Sequence, residues 1–242
     1  MKVFFFFLFE ILLFLTVRGT FAGFESCDFD KCQNDDLAEG LSRVNFLPNE
    51  QQLRELCPKT LQQVACLVQE AESCTGKTIE ELASIADPTF AKIITGARGL
   101  IQDICDENSQ FRKDYLESRD CFRGFIRVGA RHCSQEADSI VDILMEPSDK
   151  PDDDYEDSRR QCLSATHMLT CLVLQLEDTC GERAQKVFLD TVVRFGDLFL
   201  AICDDKETAT EVRAMLFDYL ELEGDTRSKM ETALSYLNRR RR

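Results

Sequence analysis

Twelve cysteines and two histidines are the residues of this 242-residue chain whose chemistry stands out. Cysteine has four uses: metal ligation, redox cycling, nucleophilic attack and structural cross-linking. Zinc modules set cysteines two to four residues apart and add histidine partners. Here successive cysteines are eight, nine or more residues apart except for Cys27 and Cys32, and the only histidines are His132 and His167. A redox centre calls for Cys-x-x-Cys, which the chain lacks. An even, dense set without either pattern reads as a disulfide framework. Full pairing leaves no thiol to act as a nucleophile.

The remaining candidates for catalysis are weak. His132 abuts Cys133, and His167 sits among Ser164, Met168 and Thr170. Either type of side chain can serve as a general base, but a surface or half-buried helix histidine is the plainer reading. No Gly-x-Ser-x-Gly elbow, His-Glu-x-x-His pair, phosphate loop or dinucleotide glycine pattern occurs. With 44 acidic residues some carboxylates always fall close together, so an acid pair carries no weight. The expectation is a protein that is not an enzyme and holds no cofactor or metal.

Charge narrows the partners. Lys and Arg number 29 against 44 Asp and Glu, a net −15, which is the wrong sign for phosphate neutralisation and excludes a general nucleic-acid binder. Two basic features stand against this background. Arg119, Arg123, Arg127 and Arg131 recur every four residues and make one helical stripe, a candidate contact surface for an anionic partner or else a set of partners for neighbouring acidic faces. Arg239, Arg240, Arg241 and Arg242 close the sequence as an electrostatic tether, a trimmed processing signal or a solvated tail.

The elements that position these residues read as helices throughout. Leu61, Val64, Val68 and Ala71 recur at three-to-four spacing, as do Val187, Thr191, Phe195 and Leu198. Helices are expected near 50–56, 58–73, 88–104, 109–132, 135–145, 158–179, 182–202, 207–222 and 225–238, with Pro58 and Pro88 opening two of them. No alternating run reads as a strand. Residues 1–22 carry Lys2, an apolar stretch from Val3 to Val17 and small residues at Thr20 and Ala22, the layout of a secretory signal peptide. That stretch is too short to span a bilayer, so no membrane span is expected and the location is extracellular.

Cysteine spacing also exposes a repeat. Cys57, Cys66, Cys74 and Cys105 are matched by Cys162, Cys171, Cys180 and Cys203, with Cys66-Leu67-Val68 recurring as Cys171-Leu172-Val173. Phe90, Leu100 and Ile104 fall in register with Phe188, Leu198 and Ile202. The fold class is therefore all-α, a disulfide-stapled helical bundle built from two diverged repeats. Its parts are a signal peptide (1–22), an N-terminal segment and first repeat (23–145), a linker (146–157), a second repeat (158–238) and the basic tail (239–242). The linker is acid-rich and holds Pro147 and Pro151, but it lacks the central glycine and ligand alternation of a calcium loop.

If the first three main helices run up, down and up, Cys57 meets Cys105, Cys66 meets Cys121 and Cys74 meets Cys133. Cys162 then pairs with Cys203. The leftovers send the N-terminal segment across to the second repeat as Cys27–Cys171 and Cys32–Cys180, although other pairings of the six remain open.

On helices after a Phe-rich leader, the Cys57-Cys66-Cys74 spacing with Cys105 and its second copy resembles secreted arthropod helical proteins. These are grouped with haemolymph glycoproteins and with spider gland or venom components. The resemblance covers most of residues 57–203 and implies an extracellular, disulfide-bonded, non-enzymatic chain, with no functional residues to carry over. The expected function is a secreted, non-catalytic binding or interaction protein that presents a rigid acidic helical surface to an extracellular protein partner. The alternative is a carrier of small hydrophobic ligands, for which some of the 18 Phe would line a closed cavity. Oligomeric state is not legible.

Overall fold

The computed structural model describes residues 24, 26–45, 47–84, 89–145, 154–194, 203, 206–228 and 230–231. The expected signal peptide and the Arg239–Arg242 tail lie outside them, as do residues 146–153 of the expected linker. Among the described residues every regular element is a helix and none is a strand, and disulfides staple the helices together. A 3-10 turn at Phe29–Cys32 leads into α1 (Asp35–Arg43), α2 (Glu50–Thr75), α3 (Ile79–Leu82) and α4 (Thr89–Cys105). Then come α5 (Gln110–Leu144), α6 (Asp154–Cys180), α7 (Glu182–Arg194) and α8 (Lys206–Tyr219). No described helix is long and apolar enough to cross a membrane.

The chain forms two compact units, 1–123 and 124–242. Their boundary falls inside α5, and the last four residues of the expected 146–157 linker belong to α6.

In the first unit, α2 is the organising helix. Asn49 accepts a hydrogen bond from Gln52 N at 2.9 Å while Asn49 N donates to Gln52 Oε1 at 2.8 Å, a reciprocal cap on the free donors of the first turn. Gly76, at φ 69°, ends the helix in a left-handed conformation that a side chain would strain. Between these caps Leu53, Cys57, Val64, Leu67 and Ala71 are buried along one side. Leu67 and Ala71 share a core with Phe24, Ile79, Leu82, Ala91 and Ile94. Helix α3 is a single turn, capped reciprocally by Thr78 and Glu81, which drops Ile79 and Leu82 into that core.

The N-terminal segment folds back along α2. Cys27 is bonded to Cys74 and Cys32 to Cys66, in place of the expected Cys27–Cys171, Cys32–Cys180, Cys66–Cys121 and Cys74–Cys133. The physical reason is local reach. Cys66 and Cys74 are two helical turns apart, about 12 Å along α2 at 1.5 Å per residue, and the stretch from Cys27 to Cys32 lies alongside it with opposite polarity. Buried Glu70, midway between the two bridges, accepts from Asp28 N at 2.8 Å and is ion-paired with Lys31. Those two contacts, Lys31 first, hold its carboxyl below the usual range.

In the second unit Cys133 is bonded to Cys171, tying α5 to α6, and Cys162 to Cys203. Ile140, Val141 and Met145 pack with Cys162, Leu163, Ala209, Val212 and Leu216 as its core. Arg159 pairs with Glu211 at 2.5 Å and Arg160 with Asp142 at 3.2 Å, joining α6 to α8 and to α5 over that core.

Three helix boundaries differ from expectation. Pro58 does not start a helix but lies inside α2, and Ser134 does not start one but lies buried inside α5, a single helix of 35 residues. In both places the buried stripe continues through the supposed stop, and burial of that stripe outweighs the local signal. Helix α6 begins at Asp154, four residues before the expected start. Residues 195–202 and 232–238, where helices were also expected, lie outside the described residues.

Candidate functional site

Three places combine geometry with chemistry. The first is a cleft of about 350 Å³ in the first unit, open to solvent, between α2 and α4. Leu61, Val64, Ala65 and Val68 of α2 give it an apolar lining, and Gln69, Glu72, Arg98 and Gln102 complete it. Its two charged groups already have partners. Glu72 Oε1 accepts from Ile79 N at 3.0 Å, and Arg98 bonds Glu80 at 2.6 Å. What remains is a shallow apolar strip on a rigid helix pair, unlike the closed cavity a carrier of the expected kind would have.

The second place is the arginine stripe on α5, and the structure divides it. Arg119 faces inward: its Nε donates to Leu47 O at 2.8 Å, its Nη1 meets Asp120 at 2.8 Å, and the side chain is only 12% exposed. It fixes the chain entering α2, together with Tyr115, whose hydroxyl donates to Pro48 O at 2.9 Å from full burial. Arg112, one turn nearer the start of α5, donates to the carbonyls of Ile104 and Cys105 at the end of α4, where a cation also meets the negative end of the helix dipole. Arg123 and Arg131 are exposed, and the Arg127 side chain lies outside the described residues. The stripe thus divides into an inward anchor, Arg119, and two outward cations.

The third place was not foreseen. It gathers both histidines of the chain around one carboxylate in the second unit. His132 and Glu136, one turn apart on α5, place Nδ1 and Oε2 3.3 Å from each other. From α6, His167 Nε2 lies 3.9 Å from the same Oε2, and Gln175 Nε2 lies 3.1 Å from His132 Nδ1. Cys171 Sγ is 3.4 Å from Glu136 Oε2, but it is bonded to Cys133 and so is neither a thiolate nor a proton donor. His132 and Glu136 are about half exposed, whereas His167 is buried and neither of its ring nitrogens has a hydrogen-bond partner. Burial pushes the His167 pKa below its ordinary value, against the upward pull of Glu136, and so favours the neutral ring.

All twelve cysteines are oxidised, Cys121 and Cys180 included. That removes thiol chemistry and marks a chain folded in an oxidising compartment. No protein-family model, curated protein or solved structure matches the chain. The histidine cluster could have been found from sequence through one fact: His132 adjoins Cys133, and His167 precedes Cys171 by one helical turn. Pairing Cys133 with Cys171 brings the histidines together, whereas the expected Cys74–Cys133 bond kept them apart.

Proposed function

We propose that this chain is a secreted, non-catalytic interaction protein of an extracellular fluid, such as a gland secretion or haemolymph, and that it acts by presenting a rigid helical surface to a protein partner. The observation that carries this reading is the complete oxidation of its cysteines. Cross-links in such number suit a durable extracellular particle and leave no thiol for catalysis. The corresponding bridges Cys57–Cys105 and Cys162–Cys203 support a duplicated helical unit as the scaffold. The open apolar strip between α2 and α4, with its charged groups already paired, supports contact with a partner's apolar side chains over enclosure of a ligand. A carrier of small hydrophobic ligands is the second reading, favoured only by the size of that cleft.

Native mass spectrometry of the protein secreted from its own tissue, compared with its denatured mass and a thiol count, separates the two. Equal masses with no free thiol support the interaction protein. A native mass larger by a few hundred daltons overturns it in favour of the carrier, and a multiple of the chain mass makes a second copy the partner.

A further inference from the structure

His167 is an ionisable ring sealed into α6 where that helix meets α5. It is 3% exposed, and neither ring nitrogen has a hydrogen-bond partner among the described residues. A neutral ring there leaves its polar atoms unmet. A protonated ring places a whole charge in the same spot, which costs far more unless a carboxylate answers it. The carboxylate nearest the ring is Glu136, whose Oε2 lies 3.9 Å from His167 Nε2, beyond hydrogen-bond distance. That oxygen stands 3.3 Å from Nδ1 of His132, and a neutral His132 with its proton on Nδ1 satisfies it. One carboxylate thus stands between two imidazoles, closer to the exposed one.

The other charges around α6 keep their distance. Residues 161–176 hold no acidic or basic side chain other than His167. Toward the start of α6, Arg160 pairs with Asp142 of α5 and Arg159 with Glu211 of α8, about 10–12 Å from His167 along the helix axis. Toward its end, Glu177 pairs with Gln185 of α7 at 2.7 Å. Among the described charged side chains of α7 and α8 only Arg194 and Arg213 are half-buried, and Arg213 faces Glu231. The charge that acts on the ring is that of Glu136.

We propose that His167 and Glu136 form an acid-sensitive latch in the second unit: in acid the buried ring takes a second proton, draws Glu136 away from His132 and loosens the packing of α5 on α6. The Cys133–Cys171 bond ties the same two helices about one turn from the latch, so they repack around the bridge and do not separate. The direction of the effect follows from linkage. Burial holds the His167 pKa below its ordinary value of 6.5, so the unfolded chain binds the proton more readily than the folded one. Stability is full above 6.5 and falls as pH drops from there to the folded value. Each unit between the two lowers the folding equilibrium constant by up to about tenfold. The inference does not depend on the interaction-protein reading.

The test uses the intact, fully oxidised chain between about pH 8 and pH 5, above the range where most carboxylates titrate. With only two histidines present, NMR of the imidazole C–H signals follows each ring, and His132→Gln tells them apart. The His167 signals are expected to titrate below 6.5. Amide hydrogen exchange, corrected for its intrinsic pH dependence, is expected to quicken in α6 and the second-unit part of α5 by at least about threefold as the ring protonates, and not in α2. The melting temperature of the parent should fall over the same range. That fall should persist in His132→Gln, disappear in His167→Gln and deepen in Glu136→Gln, which lacks the counter-charge. If His167→Gln does not fold, the ring titration and the exchange rates of the parent decide. A His167 ring that titrates at or above 6.5, or exchange in α5 and α6 that acid leaves unchanged, overturns the proposal. A fall in melting temperature that survives in His167→Gln also overturns it and assigns the effect to other groups.

Discussion

Glu70 and Tyr115 carry interactions that single substitutions isolate. Glu70 has its folded pKa held below the ordinary carboxylate value by Lys31 and by the Asp28 amide. A group depressed in this way stabilises the fold above its unfolded pKa, and the contribution disappears as pH falls through the folded value. Thermal melting between pH 6 and pH 3 should therefore drop less steeply in Glu70→Gln than in the parent. At pH 7 that variant should lose about 1 kcal/mol, because the amide oxygen still accepts from Asp28 N while the charge opposite Lys31 is gone. Tyr115→Phe should cost a similar amount, about 1–2 kcal/mol in a denaturant melt, because it leaves the Pro48 carbonyl without its buried donor. None of these roles was legible in the sequence. Glu70 is one acid among 44, and its importance arises only because the chain from Cys27 to Cys32 lies against α2. The cysteines themselves announced cross-linking plainly, yet their partners depend on which segment lies beside which helix face, and spacing alone does not record that.

Helices were the most legible feature and their ends the least. Pro58 and Ser134 are ordinary start signals, and each turned out to lie inside a helix. Along α5, Ala130, Cys133, Ala137, Ile140 and Val141 continue one buried stripe past Ser134. Along α2, Leu53, Cys57, Val64 and Leu67 do the same past Pro58, whose ring removes the bond to the Arg54 carbonyl. That helix therefore carries a local defect that tertiary packing overrides. Pro58→Ala should raise stability, by up to about 3 kcal/mol, measured as a higher denaturant midpoint with an unchanged slope. The caps act in the opposite direction. Asn49→Ala removes the side-chain acceptor for Gln52 N, while the Asn49 backbone N–H still donates to Gln52, and should cost about 1 kcal/mol.

Across the whole molecule, fold class and redox chemistry were legible because they rest on composition. The acid-rich, proline-bearing segment read as a linker, whereas the two compact units divide at residues 123 and 124, a position that carries no composition shift. Stability at this level is set by the cross-links. Cys57–Cys105 closes a loop of 48 residues, and in the chain-entropy account its removal by paired Cys→Ser substitution should cost about 4 kcal/mol, read by the shift of the melting curve. Five of the bridges span between 34 and 48 residues each. This has a consequence for biosynthesis. A ribosome adds about 5–20 residues per second, so the second cysteine of each such pair emerges only seconds after the first, within the time disulfide formation needs. Cys27–Cys74, Cys32–Cys66 and Cys57–Cys105 can each close before Cys162 and the later cysteines have been synthesised. These three bridges need no cysteine of the second unit, so they can form in the order of translation.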